Sequence, residues 1–212
     1  MNLVICKSET FVTDDVPISV LVADVVAFEQ DNDSIAAAMA QVSPQRRAKA
    51  EAFRFRRGQA LSLGAALLLD HLLQPYGLRE RDMRYTENEH GRPSFADHPE
   101  ILFSISHSGT RVAVAMAKSA SFSFGIDIQA PTRRQQSLYR RVLSAEELQR
   151  MATLSQDGQD RLFQQLWTHK EAYAKALGTG LLEPYPSPPP SAILHELDID
   201  AYHLTLCVIK PH

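Results

Sequence analysis

The most constraining feature of this sequence is the stretch LWTHKEAYAKALGTGL, residues 166–181, which predicts one long helix with an abrupt end. Its first twelve residues are mostly good helix formers, and Gly178 is the glycine that commonly terminates a helix. Residues four apart lie on one face of a helix, so Trp167, Glu171 and Lys175 form one stripe. The carboxylate and the ammonium of this stripe are either an ordinary solvated ion pair or part of a functional site.

A second acidic residue favours the functional interpretation. Asp127 lies in the apolar run FSFGIDIQ, residues 122–129, which is typical of a buried strand. Because side chains alternate along a strand, Asp127 and Gln129 point to one face and the neighbouring isoleucines to the other. A carboxylate from this strand and the Glu171 carboxylate from the helix can converge on a hard cation that also holds phosphate oxygens.

The composition excludes several classes of protein. A chain of 212 residues, 44% of them hydrophobic, can form one large domain or two smaller lobes with a core in each. The net charge of −3 gives no overall preference for nucleic acid or anionic membranes. The N-terminus lacks a secretory signal pattern, and no apolar run reaches the roughly 18 residues of a membrane-spanning helix. We therefore expect a cytoplasmic protein that binds neither nucleic acid nor membrane.

A local basic patch follows Ser43-Pro44, a pair that is typical of a helix start. The helix predicted from this point carries six basic residues, opposed only by Glu51: Arg46, Arg47, Lys49, Arg54, Arg56 and Arg57. The patch is either a solvated helix face or a site for a phosphate-rich small ligand. Nucleic acid is disfavoured because the patch is short and isolated.

The remaining patterns predict an α+β fold. Strands are indicated at 18–26, 83–87, 101–106, 112–117, 121–129, 192–199 and 201–209, and further helices at 59–73, 144–151 and from about 159. Strands followed by a long helix occur twice in this order. The sequence therefore predicts two similar lobes, each a small sheet packed on a long helix.

Three motifs occur in an order that resembles the phosphopantetheinyl transferases, most closely the two-lobe type that activates surfactin synthetase. The motifs are FSISHSG at 103–109, GIDIQ at 125–129 and WTHKEAYAKALGTGL at 167–181. Each is weak alone, but together they are specific, and the resemblance covers roughly residues 46–181. It implies a pseudo-dimer of two α+β lobes with the active site in the cleft between them. We divide these lobes at 1–107, for coenzyme A nucleotide contacts, and 108–212, for metal and catalytic residues.

The resemblance implies an enzyme that moves the phosphopantetheine arm of coenzyme A to a serine of an apo acyl carrier protein or peptidyl carrier domain. Adenosine 3',5'-bisphosphate is released. Asp127 and Glu171 would hold Mg²⁺, an ion that takes oxygen ligands and can polarise a phosphorus atom. Glu171 is also the implied base toward the carrier serine, either directly or through a metal-bound water. Lys175 would neutralise pyrophosphate oxygens.

Gln129 departs from the pattern of many relatives, which have a third acidic ligand at this position. Water or Gln129 itself would then complete the metal coordination, so we expect weaker metal affinity rather than lost activity. The alternative is a catalytically silent module that binds coenzyme A or a carrier protein. The presence of Asp127, Glu171 and Lys175 argues against that alternative.

The coenzyme A contacts implied by the resemblance are Arg46, Lys49, Ser62, Gly91, Arg92, Ser106, His107, Lys170 and Lys175. In this interpretation His107 touches the phosphates, Arg92 holds the 3'-phosphate, and the backbone at Gly91 lies against adenine. The arginines at 54, 56 or 57 are alternatives to the first two cations. Trp167 is expected to fix the helix by packing, and Glu147 to support the cleft.

The carrier protein that is served is not indicated by the sequence. Acidic carrier helices would suit a basic rim, for which the candidates are Arg133, Arg134, Arg140 and Arg141. We expect a monomer, because a fused two-lobe chain already contains its own cleft.

Overall fold

The computed structural model describes residues 2–118, 121–131, 136–180 and 185–210, and the chain divides into two compact units, Met1–Ala120 and Ser121–His212. Each unit is an antiparallel sheet packed on one long helix, which confirms the predicted α+β class. None of the helices in these described ranges combines the length and the apolarity that crossing a bilayer requires.

The first unit is built on a four-stranded sheet in the order β1-β2-β6-β5. Its strands are β1 (Val4–Thr13), β2 (Val16–Asp24), β5 (Ile101–Ser108) and β6 (Arg111–Lys118), and a separate two-stranded sheet pairs β3 (Tyr85–Glu87) with β4 (Pro93–Phe95). Its helices are α1 (Val26–Gln30), α2 (Asn32–Gln41), α3 (Pro44–Glu51) and α4 (Arg56–Leu73). The unit ends after the β5–β6 hairpin, whereas the boundary expected after residue 107 would cut β5.

Helix α4 is the core element of the first unit. Its leucines and alanines are buried against β2 and β6, and they form one cluster with Phe28, Phe95 and Phe103. The core sits between this helix and one face of the sheet.

The prediction of one helix through the whole basic patch was wrong. Helix α3 ends at Glu51, and the chain leaves the helical conformation before α4 begins at Arg56. The Phe53 ring lies against Gly58, where an added Cβ would come within 2.4 Å of a ring carbon. The break therefore lets an aromatic side chain pack on the start of the next helix. Three of the six basic residues lie on α3, Arg54 lies in the break, and Arg56 and Arg57 begin α4.

The second unit has a three-stranded sheet in the order β7-β9-β8. The strands are β7 (Ser123–Gln129), β8 (Ile193–Ile199) and β9 (Tyr202–Ile209), and the helices are α5 (Gln136–Val142), α6 (Ala145–Ala152) and α7 (Gln156–Leu177). Helix α7 packs over β7 and β9. It begins after the Ser155 cap and ends at Gly178, which has the left-handed φ of 73° and confirms the predicted glycine stop.

Candidate active site

Asp127 is a fully buried carboxylate on β7 whose two oxygens are both hydrogen-bonded. The Lys175 ammonium donates to Oδ1 at 2.6 Å, and the Gln129 side-chain nitrogen donates to Oδ2 at 3.0 Å. Asp127 is 0% exposed. A buried negative charge is costly unless it is paired and hydrogen-bonded, and these two donors meet that requirement.

Glu171 brings a second carboxylate to the same ammonium. Its Oε2 atom lies 3.8 Å from Lys175 Nζ, one helical turn along α7. The side chain of Glu171 is 15% exposed, so this carboxylate retains access to solvent. The structure therefore places both carboxylates, Asp127 and Glu171, against the Lys175 ammonium.

The close approach of α7 to β7 depends on a glycine. A Cβ atom at Gly125 would lie 2.2 Å from the carbonyl oxygen of Ala172 and 2.5 Å from the backbone nitrogen of Ala176. Beside it, the Ser123 hydroxyl donates to the carbonyl oxygen of Ala176 at 2.6 Å. The glycine of the GID motif thus lets the helix backbone rest on the strand, and this contact brings Lys175 within reach of Asp127.

The first unit contains a cavity of about 400 Å³ that collects several of the predicted coenzyme A contacts. Its lining includes Arg46, Lys49, Ser62 and His107, together with apolar side chains and Tyr85. Because Arg46 and Lys49 lie one turn apart on α3, both cations reach the same space. Four residues from three separate parts of the chain are therefore brought together.

The Arg46 guanidinium is held in a network that the sequence did not indicate. It lies 5.1 Å above the centre of the Tyr85 ring, and one of its nitrogens donates to the Tyr85 hydroxyl at 3.4 Å. Tyr85 in turn donates to Glu80 at 2.8 Å, and Glu80 also accepts from the Ser43 hydroxyl and backbone at 2.9 and 2.8 Å. Burial raises the pKa of the Tyr85 hydroxyl well above its usual value.

Ser62 lines this cavity, and its hydroxyl has an unusual environment. Its Oγ atom is buried, and within the described ranges no group is placed to hydrogen-bond with it. Buried polar atoms nearly always have a partner, so the hydroxyl of this cavity-lining residue is a candidate for a hydrogen bond to a ligand.

Three other predicted contacts do not line the cavity. Gly91, with a φ of 77°, lies in the turn between β3 and β4, where the Asn88 side-chain oxygen accepts from the backbone nitrogen of Arg92 at 2.8 Å. Arg92 is half-buried, and this burial lowers the pKa of its guanidinium. Ser106 is buried and points to the face of β5 opposite His107, because side chains alternate along the strand. The assignment of these three residues to coenzyme A stays a prediction.

Residues 123–208, which include β7, α7 and β9, match the family model described as the 4'-phosphopantetheinyl transferase superfamily. The 4'-phosphopantetheinyl transferase ffp of Bacillus subtilis is 31% identical over 180 residues, which span 82% of this chain and 78% of that protein. The 4'-phosphopantetheinyl transferase Sfp of Bacillus subtilis (strain 168) is 31% identical over 150 residues, which span 70% of this chain and 66% of that protein. This chain belongs to the 4'-phosphopantetheinyl transferase superfamily.

A more distant member, the 4'-phosphopantetheinyl transferase AcpT of Escherichia coli (strain K12), is 30% identical over 116 residues, which span 55% of this chain and 56% of that protein. The similarity to the Bacillus transferases confirms the resemblance read from the three sequence motifs.

The acidic residues of this transferase have the chemistry of a magnesium site. Asp127 and Glu171 supply carboxylate oxygens, the donors that Mg²⁺ prefers, and both already face one positive charge on Lys175. Two negative charges against one ammonium leave a net negative charge, which favours a further cation. The residues therefore fit Mg²⁺. Gln129 lies against Asp127, and its role as a weak ligand stays a prediction.

Lys170 has a different environment from Lys175. Its side chain is 2% exposed, and its ammonium lies 3.1 Å from the Glu147 carboxylate and 2.6 Å from the Ser187 hydroxyl. The Ser187 hydroxyl donates to Glu147 at 3.2 Å, which closes the network. Because this lysine is committed to a buried ion pair, we leave it out of the proposed coenzyme A site.

Glu147 and Trp167 are structural residues. Glu147 and Ser144 form a capping box at the start of α6. Glu147 therefore both stabilises this helix end and pairs with the Lys170 ammonium. Trp167 stacks on Phe163, with ring centres 6.0 Å apart, and meets the edge of Tyr185 at 5.3 Å. The expected packing role of Trp167 is confirmed.

Of the four arginines considered for carrier contacts, two lie outside the described residues: Arg133 and Arg134. Arg140 and Arg141 are exposed in the last turn of α5. Their role in carrier recognition stays a prediction.

Proposed function

We propose that the protein transfers the 4'-phosphopantetheine arm of coenzyme A to a serine hydroxyl of an apo acyl carrier protein or peptidyl carrier domain. The second product is adenosine 3',5'-bisphosphate. The observation that carries the proposal is the convergence of the Asp127 and Glu171 carboxylates on the Lys175 ammonium. Membership of the transferase superfamily supports the same reaction.

In this proposal the first unit binds the nucleotide part of coenzyme A. Arg46 and Lys49 would pair with phosphate oxygens, and His107 and the Ser62 hydroxyl would complete the polar contacts of the cavity. Arg92 lies in the neighbouring β3–β4 turn and is the candidate for the 3'-phosphate. A guanidinium suits this task because it presents several donors in a fixed plane.

The second unit carries the chemistry. Asp127 and Glu171 would hold Mg²⁺, which when bound polarises the pyrophosphate and offsets the charge of the departing bisphosphate. Lys175 would neutralise pyrophosphate oxygens as negative charge develops on the leaving group. Glu171, the more exposed of the two carboxylates, would accept the proton of the carrier serine, directly or through a water molecule.

The reaction balances with these groups alone. The serine oxygen forms a bond to the phosphorus that bears the pantetheine arm, and the bond from that phosphorus to the bridging oxygen of the pyrophosphate breaks. The bisphosphate leaves with the electron pair of that bond, and the serine proton passes to the base.

We also propose that the protein acts as a monomer in the cytoplasm. Cys6 and Cys207 are both free thiols, which suits a reducing compartment. Light scattering that gives the mass of one chain would support the monomer, and a stable dimer would contradict it.

The test is to incubate the protein with coenzyme A, Mg²⁺ and several apo carrier proteins, and to weigh the carriers by mass spectrometry. We expect a gain of one phosphopantetheine per carrier, lost in Asp127→Asn and Glu171→Gln and retained in the control Glu146→Gln, which changes an exposed carboxylate on α6. No gain with any carrier, together with retained coenzyme A binding, would instead support a binding module.

A further inference from the structure

A second group of potential metal ligands lies under helix α7, beside β8. In the sheet, Asp198 pairs with His203 and Glu196 with Thr205, so these four side chains share the face that packs against the helix. The Thr205 hydroxyl donates to Thr168 on α7 at 3.0 Å, which confirms the direction of this face.

His169 on α7 and His203 on β9 converge on one oxygen of Glu196. The Nε2 atom of His169 lies 2.7 Å from Glu196 Oε1, and the Nε2 atom of His203 lies 3.1 Å from the same atom. One potential ligand atom from each residue lies within 4.8 Å of the other two. The side chains of His169 and His203 are only 15% and 13% exposed, so both rings are held in place by their surroundings.

Two neighbouring groups orient these ligands. The other ring nitrogen of His203, Nδ1, lies 2.8 Å from the Asp198 carboxylate, which leaves Nε2 directed at the cluster. The Gln165 side chain donates to Glu196 Oε1 at 2.8 Å and fixes the carboxylate. Carboxylates that hold the outer nitrogen of a histidine are a common feature of metal centres, because they set the tautomer and raise the basicity of the ring.

We propose that His169, Glu196 and His203 form a binding site for a first-row transition-metal ion, with Zn²⁺ as the ion of choice. Two imidazole nitrogens and one carboxylate oxygen are a ligand set that Zn²⁺ accepts, with water in the fourth position. Imidazole favours Zn²⁺ and its transition-metal neighbours over Mg²⁺, which prefers oxygen donors alone.

This site shares no residue with the Asp127–Glu171 site, although His203 pairs with Gln129 in the sheet. Positions 169 and 171 are two residues apart on α7, which places their side chains on nearly opposite sides of the helix. The hydrogen-bonded pair Thr168 and Thr205 is fully buried at the centre of the contact between helix and sheet. A bound ion would join α7 to β8 and β9 on the side away from Gly125, and would therefore stabilise the folded second unit without contacting Asp127.

The proposal is tested by zinc titration of the purified full chain in buffer that contains excess Mg²⁺ and no coenzyme A. Calorimetry is expected to give one equivalent of Zn²⁺ per chain, and Co²⁺ is expected to give the absorption of a low-coordinate nitrogen and oxygen site. At a hundredfold excess over Kd, Zn²⁺ is expected to raise Tm by roughly 5–10 °C.

Three variants and one control distinguish this site from adventitious binding. His169→Ala, His203→Ala and the near-isosteric Glu196→Gln are expected to weaken Zn²⁺ binding at least tenfold. The control is His195→Ala. His195 lies next to Glu196 on β8, so its side chain points to the opposite face of the sheet. This variant is expected to bind Zn²⁺ like the parent protein. Circular dichroism establishes that each variant is folded, and Glu196→Gln keeps the shape of the site if an alanine variant does not fold.

Failure of the parent protein to bind Zn²⁺, or binding that is unchanged in folded Glu196→Gln and in the histidine variants, would overturn the proposal. The cluster would then be a hydrogen-bonded network around Glu196 that joins α7 to β8 and β9. Either result leaves the transferase assay untouched, because that assay depends on Asp127 and Glu171.

Discussion

Gly125 lies directly beneath the backbone carbonyl of Ala172, so close that a Cβ atom at position 125 would be 2.2 Å from that oxygen. The contact joins β7 to α7 through backbone atoms, which cannot move aside as the end of a flexible side chain can. Because Gly125 has no Cβ atom, the strand that carries Asp127 can approach the helix that carries Glu171 and Lys175 this closely.

Gly125→Ala is therefore expected to destabilise the second unit by about 1–3 kcal/mol or more, as overpacking does in other cores. It is also expected to reduce transfer activity, because α7 must move away from Asp127. Urea unfolding and the carrier mass assay measure the two effects. Gly158→Ala is the matched control: it adds a methyl group near the start of the same helix, where the nearest atom is a side-chain carbon at 3.1 Å. Equal stability of both variants would contradict the argument.

Lys175→Met tests two proposed roles of the Lys175 ammonium: pairing with the carboxylates in the absence of substrate, and offsetting charge on the leaving group. Lys175 pairs with Asp127, so in the proposed mechanism it would compete with Mg²⁺ for the carboxylates. The variant is therefore expected to bind Mg²⁺ more tightly in the absence of coenzyme A, yet to lose roughly 100-fold in kcat/KM because charge on the leaving group is no longer offset. Calorimetry with Mg²⁺ and steady-state kinetics provide the comparison, with the exposed Lys118→Met as control. Weaker Mg²⁺ binding would contradict the competition.

Gln129→Glu is expected to lower the stability of the metal-free protein and to raise its affinity for Mg²⁺. The change removes the hydrogen bond from Gln129 to Asp127 and puts a second negative charge beside a buried one, at a cost of about 1–3 kcal/mol in the metal-free protein. With Mg²⁺ present, the added oxygen donor and negative charge favour tighter binding. Thermal unfolding with and without Mg²⁺ is expected to give a lower Tm without metal and a larger metal-induced rise than in the parent protein. An equal rise in both proteins would show that position 129 does not reach the ion.

Ser62→Ala tests the cavity of the first unit. Because the Ser62 hydroxyl has no partner within the described residues, its removal is expected to leave stability unchanged or slightly higher. If coenzyme A bonds to this hydroxyl, KM for coenzyme A rises about 2–12-fold, which corresponds to one hydrogen bond. The matched variant Ser34→Ala loses bonds to Asn2 and Asp31 and is expected to do the opposite, with lower stability and unchanged KM.

The Glu147 carboxyl is expected to make the free energy of unfolding depend on pH. Burial raises the pKa of its carboxyl, but hydrogen bonds from the Ser144 backbone and from Lys170 outweigh burial, so the pKa lies below the usual 4.5. Its stabilising effect is therefore complete above about pH 4.5 and is lost as the pH falls through the lower folded value. At neutral pH, Glu147→Gln is expected to cost about 3–5 kcal/mol, because it leaves the buried Lys170 ammonium without a counter-charge.

The measurement is urea unfolding of Glu147→Gln and the parent protein across the acid range. The difference in unfolding free energy is expected to shrink as the pH falls. A double variant, Glu147→Gln with Lys170→Met, is expected to be more stable than Glu147→Gln alone, since no buried charge is then unpaired. A constant difference at every pH would contradict the assignment of the effect to this carboxyl.

Local patterns in the sequence predicted the parts of the site that depend on local structure. The glycine at 178 ends α7, and the spacing of Glu171 and Lys175 places them on one face, so their neighbourhood follows from helical geometry. Alternation along β7 placed Asp127 opposite the apolar core residues. The meeting of the two elements came from the family resemblance.

Contacts between distant parts of the chain could not be predicted in this way. Lys170 and Lys175 look alike in the sequence, and only the positions of Glu147 and Ser187 commit Lys170 to a buried pair. Strand β1 was missed because most of its side chains are exposed and, among the described strands, it pairs with β2 alone, so it lacks the apolar signature of a core strand. The role of Glu80, one of two acids in a short polar segment, likewise depends on groups brought to it by folding.

The network around Glu80 has a consequence for the thermodynamics of ligand binding. Arginine side chains carry about 2 kcal/mol of rotamer entropy, which a ligand must normally offset when it immobilises one. In this cavity Arg46 is already immobilised, between the Tyr85 ring and a carboxylate that lies 3.9 Å away. Folding has already ordered this guanidinium, so an anion that docks against it keeps more of its interaction energy as affinity.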